Sequence, residues 1–228
     1  MLFLSGCNRQ ISNTISNFGC PGNAKIEWVD MIMINDIKYQ HHYTEQTVEE
    51  QSSSVEPGNK ISEVSYKMAD HACSNHKMKN GDAAYIDEGT PIYEVKGLPS
   101  SLAVLANGRV FIVETNKKAT TAGELYPIEG LVKNIYIEST EDGGRVHTFD
   151  QQSVKEFKLE WQKLSLEDVD SLYKQKKMDG NRVFLGIELT NGVSFTQLYW
   201  IDSNVFHNGA IGTEEMKEII NYELSLVK

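Results

Sequence analysis

Val183-Phe184-Leu185-Gly186-Ile187-Glu188-Leu189-Thr190-Asn191-Gly192-Val193-Ser194-Phe195-Thr196-Gln197-Leu198-Tyr199-Trp200 reads as two strand-forming runs around Asn191-Gly192. With Asn191-Gly192 as the turn, the stretch predicts a β-hairpin. A loop over 202–212 leads to Thr213, a good N-cap. Glu214 and Glu215 then sit in a first turn, where the helix dipole favours acids. Met216, Ile219, Ile220, Leu224 and Val227 form one apolar helical stripe. The preceding residues show the same order. Leu131–Glu138 and Arg145–Phe149 flank the turn Glu141-Asp142-Gly143-Gly144, and Val154, Phe157, Trp161 and Leu164 follow at helical spacing. Ser165-Leu166-Glu167-Asp168 resembles a capping box, with Asp in place of Glu, opening a short helix through Val169, Leu172 and Tyr173. Residues 123–228 therefore predict hairpin–helix–hairpin–helix. Such a unit would most simply bury its helices on one face of an antiparallel sheet.

Residues 26–122 read as a β-rich half. Strand-like runs flank Asn35-Asp36, and Leu102–Leu105 and Val110–Val113 flank Asn107-Gly108. Ile61–Met68 alternates as a strand, and Asp87-Glu88-Gly89-Thr90-Pro91 is turn chemistry. Residues 44–60 are polar and acidic and predict an exposed loop. Thr115–Gly123 is a polar break and the candidate boundary between the halves, which are short enough to share one compact unit. The expected fold class is α+β with antiparallel sheets.

The 228 residues are 40% hydrophobic and 24% charged, ordinary values for a globular chain. No run approaches ~20 apolar residues, so a membrane-spanning helix is excluded. A net charge of −10 argues against a general nucleic-acid binder.

Residues 1–25 differ from the rest. They carry Arg9 and Lys25 and no acid, and 8–25 are rich in Asn, Ser and Gly, a composition that predicts a flexible tether. Leu4-Ser5-Gly6-Cys7 looks like a bacterial lipobox, the end of a lipoprotein signal peptide, and makes Cys7 the lipidation candidate. Six residues precede Cys7 and none is basic, so the expectation is a truncated signal whose true start lies upstream of Met1, the alternative being an N-terminal Met with a chance Leu-Ser-Gly-Cys. With Cys7 lipidated, Cys20 and Cys73 either pair in an oxidising exterior or stay single.

His71, Cys73 and His76, within Asp70–His76, form the densest group of zinc or copper donors and are the candidate metal ligands. The H-x-C-x-x-H spacing matches no specific zinc pattern, and a polar loop with Cys73 buried reads as well. Cys73 beside His71 and His76 is also the one local nucleophile–base grouping. His41 and His42, adjacent in a strand, point to opposite faces, and His147 and His207 stand alone. No G-x-S-x-G or H-E-x-x-H occurs, and no phosphate-cradling loop. No catalytic residue or cofactor is implied. Glu49-Glu50 and Glu141-Asp142 read as solvated loop acids.

Trp28-Val29-Asp30 with Asn35 and Tyr39, Lys79–Tyr85, Gly89–Tyr93, Val95-Lys96-Gly97 and Tyr199–Ser203 are similar to an uncharacterised group of secreted or lipid-anchored proteins of Bacillus-type Gram-positive bacteria. The resemblance spans about residues 26–226. It implies an extracytoplasmic location, no activity and no catalytic residue. The expected function is a monomeric, lipid-anchored envelope module on the outer face of the membrane or secreted. It would bind a protein, peptide or wall component. The alternatives are an envelope hydrolase or a metal-binding protein using His71, Cys73 and His76.

Overall fold

The structure, a computed structural model, describes residues 27–41 and 55–227; Cys7, Cys20, the whole expected tether, His42, Glu49-Glu50 and most of the 44–60 loop lie outside them. In chain order the elements are β1 (Met31–Ile34), β2 (Ile37–Gln40), β3 (Pro57–Glu63), β4 (Tyr66–Lys67), α1 (Met68–His71), β5 (Asp82–Ala83), β6 (Pro91–Val95), β7 (Ala103–Ala106) and β8 (Arg109–Asn116). Then come α2 (Ala122–Leu125), β9 (Val132–Glu138), β10 (Arg145–Thr148), α3 (Gln151–Trp161), α4 (Val169–Lys174), β11 (Arg182–Leu189), β12 (Ser194–Trp200), β13 (Val205–Phe206) and α5 (Glu214–Ser225). The fold is mixed α+β with mostly antiparallel sheets; β4–β5 is the parallel pairing.

β1 to β8 form one sheet in the order β3-β6-β7-β8-β2-β1-β5-β4. The expected strand over Ile61–Met68 is broken. β3 ends at Glu63, β4 is two residues long, and Met68 opens α1. The break has a topological reason. Val64 and Ser65 alone separate β3 from β4, so those strand ends lie within about 11 Å. Yet β3 and β4 are opposite edges of a sheet about 34 Å wide if flat. The sheet must curl until its edges nearly meet. The Val64 N–H donates to the Thr90 carbonyl and Ser65 N–H to that of Gly81, which tie the crossing to both margins (2.9 Å each). The Asn35-Asp36 turn has φ of 52° and 64°, the left-handed pair that a tight hairpin between β1 and β2 needs.

β9 to β13 form a second sheet in the order β10-β9-β11-β12-β13. β11 pairs with β12 from Arg182↔Trp200 to Glu188↔Ser194, across the Asn191-Gly192 turn. Val183, Leu185, Ile187 and Leu189 are buried on one face of β11. On the other face Gly186 lies beneath the Tyr136 ring, where an added Cβ would stand 2.1 Å from the ring carbon Cε2. Only glycine permits that approach. α3 turns Phe157 and Trp161 inward, against Phe206 of β13 (ring centroids 6.3 and 5.0 Å). One apolar core runs from Ile32 through Phe111 and Trp161 to Ile220, through both halves of the chain.

Two local expectations shift. The polar stretch over Thr115–Gly123 contains a full capping box. Thr121 Oγ1 accepts from Glu124 N–H (3.2 Å), and Glu124 Oε2 accepts from Thr121 N–H (3.3 Å). Ala122, Gly123 and Leu125 behind it are buried. At α4 the cap is Asp168 rather than Ser165. Asp168 Oδ2 accepts from Ser171 N–H at 2.9 Å, so the helix starts three residues late. Ser165 and Leu166 instead make isolated bridges to Thr121 and Ala210. No helix among the described residues is long and apolar enough to cross a membrane.

Candidate functional site

The histidine and cysteine group sits where β4 and α1 meet β5. The Tyr66 ring stacks on His76 (5.2 Å, 22°) and lies tilted to His71 (5.7 Å, 46°). Each histidine turns to its own carboxylate. His76 Nε2 lies 2.7 Å from Asp82 Oδ2, which also accepts from Lys79 N–H at 2.8 Å. His71 Nε2 is 3.8 Å from Glu88 Oε1, and both side chains are half exposed. Burial, then the Asp82 and Glu88 charges, hold the Tyr66 hydroxyl above its ordinary range.

Cys73 is disulfide-bonded; the other cysteines of the chain, Cys7 and Cys20, lie outside the described residues. A disulfide sulfur is neither a thiolate ligand nor a thiolate nucleophile. The structure thus brings His71 and His76 to one tyrosine but gives them separate carboxylates. No group of three or more His, Cys, Asp or Glu side chains among the described residues is placed to hold a metal.

The other sequence candidates are structural in place. Asp142 caps its own turn, its Oδ1 accepting from Gly144 N–H at 3.0 Å, and this bond and Ser139 hold its carboxyl below the usual range. His207 Nδ1 accepts from Leu198 N–H at 3.2 Å.

Sequence reasoning missed a second place, the contact between α3 and α5. These helices are antiparallel and fastened at both ends. Thr213, the cap of α5, donates from Oγ1 to Glu160 Oε2 at the C-terminus of α3 (2.7 Å). Glu223, near the C-terminus of α5, accepts from Asp150 N–H at the start of α3 (3.0 Å). The Glu223 side chain is 0% exposed, and its Oε2 lies 2.5 Å from His147 Nε2. His147 is therefore not solitary. The signal for Glu223 was present in the sequence. It falls seven residues after Met216 and four after Ile219, on the inward stripe, where an acid needs a partner.

Outside this fastening the two helices leave a cleft of about 570 Å³. Gln152, Glu156 and Leu159 line it from α3, and Glu215, Ile219 and Tyr222 from α5. A second cleft of about 800 Å³, between the start of β3 and the β6–β7 connection, is bridged by the Lys96–Glu56 ion pair.

No protein-family model, curated protein or solved structure matches the chain.

Proposed function

We propose that this chain is an extracytoplasmic interaction module. It is held at the outer face of the membrane through Cys7, acts as a monomer, and binds a protein, peptide or wall component. The observation that carries the reading is the oxidised state of Cys73. Disulfides form and persist in oxidising compartments and are rare where thiols are kept reduced. The Leu4–Cys7 pattern and the similarity to secreted or lipid-anchored Bacillus-type proteins point the same way.

The same reading takes residues 26–122 as a β-rich half and 123–228 as a hairpin–helix–hairpin–helix half of one compact unit. The order β9-β10, α3, β11-β12, α5 supports it, as does the core shared by both halves. Binding rather than catalysis is supported by the commitments of the candidate groups. Cys73 is oxidised, and His76 and His147 are bound to buried carboxylates.

The test is expression from the native gene with its own upstream DNA, followed by fractionation and labelling with an alkyne fatty acid. The protein should appear in the membrane or medium fraction, with label lost in Cys7→Ser. Recovery in the cytosol with Cys73 as a free thiol would overturn the proposal.

A further inference from the structure

We propose that the α3–α5 cleft is a docking groove for a cationic amphipathic peptide segment. Such a segment would set an apolar side chain on the groove floor and Lys or Arg side chains against its rim. This deepens the binding-module reading and does not depend on where the protein is located.

The floor is apolar and open. Leu159 is 58% and Tyr222 51% exposed, two of the large hydrophobic side chains that the described fold leaves in solvent, and both line this one cleft with Ile219. They stand there by helical geometry. Gln152, Glu156 and Leu159 recur at i, i+4 and i+7 on α3. Glu215, Ile219 and Tyr222 repeat that spacing on α5. Each helix thus turns its core stripe inward and carries Leu159 or Tyr222 into the groove, with Ile219 of α5 shared between core and groove. Because both ends are bonded across, the groove keeps its width.

The side chains lining the cleft carry one sign of charge, with Lys163 just outside it. Asp150, Glu156, Glu160, Glu215 and Glu218 line the cleft, and no Lys, Arg or His does. Glu160 is already matched by Lys163 at 2.8 Å, and Asp150 caps α3. Glu215 and Glu218 make no close ion pair among the described residues, although the Lys163 charge also acts on Glu215. Low-dielectric walls around a one-signed cleft focus its field.

The distribution of that charge selects the occupant. No three of the acids are grouped to coordinate a metal ion, so the charge is spread along the groove rather than collected at a point. A spread row of carboxylates suits a chain bearing several cations. A nucleic acid or an anionic membrane surface would be repelled. A second copy in a two-fold contact would set the same acidic face against itself. Helices of 11 and 12 residues give a groove of about 16–18 Å, the length of roughly five extended residues.

The test measures binding of a fluorescein-labelled Leu-Lys repeat peptide to the full chain by anisotropy at about 150 mM salt. A Ser-Lys peptide of equal charge and a Leu-Glu peptide serve as comparisons. The Leu-Lys peptide should bind about tenfold more tightly than Ser-Lys, and Leu-Glu should not bind. Glu215→Gln with Glu218→Gln, and separately Leu159→Ser with Tyr222→Ser, should each weaken binding by about three- to tenfold. These positions are exposed, and circular dichroism would verify that each variant folds. Amide shifts on peptide addition should map to 150–160 and 213–225. Equal binding of Leu-Lys and Ser-Lys, no loss in either double variant, or shifts mapping elsewhere would overturn the groove. That failure would leave the Cys7 labelling result untouched, and a negative labelling result would leave the groove untouched.

Discussion

Glu223→Ala should be the most damaging single carboxylate truncation among the described residues of the C-terminal half. Glu223 is fully buried, with Oε1 accepting the Asp150 N–H and Oε2 at 2.5 Å from His147 Nε2. Truncation removes both partners at once. It leaves an orphan N–H at the start of α3, where a helix already has unsatisfied donors, and strips the counterpart from a ring only 21% exposed. An unsatisfied buried donor costs about 1–3 kcal/mol, and a hydrogen bond to a charged group contributes about 1.5–3 kcal/mol. The two are not additive, so the expected loss is about 3 kcal/mol. For a chain of this size that is a fall in Tm of roughly 6–12 °C. Urea denaturation monitored by tryptophan fluorescence reads it directly, since Trp161 lies on the helix that Glu223 holds. Glu223→Gln keeps an acceptor for Asp150 N–H and should cost only about 1 kcal/mol. A cycle with His147→Ala should show a coupling of about 1–2 kcal/mol. If Glu223→Ala lies within about 0.5 kcal/mol of the parent, or equals Glu223→Gln, the fastening role is wrong.

Burial is the main cause that raises the Glu114 carboxyl above its ordinary value, with Lys38 pulling the other way. The folded state therefore holds that proton more tightly than the unfolded one. Stability from this group is present at acid pH and is lost as pH rises from the usual carboxylate range through the folded pKa. Glu114→Gln should accordingly raise Tm at pH 7, with the gain shrinking to zero near pH 4; a gain that grows on acidification would contradict the assignment. Gly186→Ala should cost about 1–3 kcal/mol by driving a methyl into the Tyr136 ring, and Tyr136→Ala in the same chain should recover part of the loss in thermal melts. Thr213→Ala removes the acceptor for Met216 N–H (3.1 Å) and the bond to Glu160, and should cost about 1–2 kcal/mol in urea titrations. Thiol titration of unlipidated, oxidised protein in denaturant should count one free thiol among the three cysteines, and three would exclude the disulfide.

What could be read from the sequence was whatever local chemistry decides alone. Asn35-Asp36 and Asn107-Gly108 announce their hairpins because few residues tolerate positive φ, and each turn pairs the strands it joins; at Asn191-Gly192 only the glycine takes a positive φ, of 88°. Phe157, Trp161, Met216 and Ile220 announce their buried faces because helical spacing leaves no other solution. The rest depends on partners distant in the chain. Ile61–Met68 alternates like one strand, yet its two ends belong to opposite margins of a curled sheet, and no local pattern records curvature. Ser165 looks like a cap until Thr121 and Ala210 take its strand-like stretch into bridges. His147 and Glu223 lie 76 residues apart: helical spacing puts Glu223 on the inward stripe, but nothing local names His147 as its partner. The histidine group misleads for the opposite reason. Proximity in sequence suggests convergence, but Asp82 and Glu88 each hold one ring, and oxidation commits the sulfur of Cys73. The α3–α5 groove fits the same logic. A single-helix reading assigns Leu159 and Tyr222 to solvent, and only the antiparallel pairing of two helices sets them against one cleft.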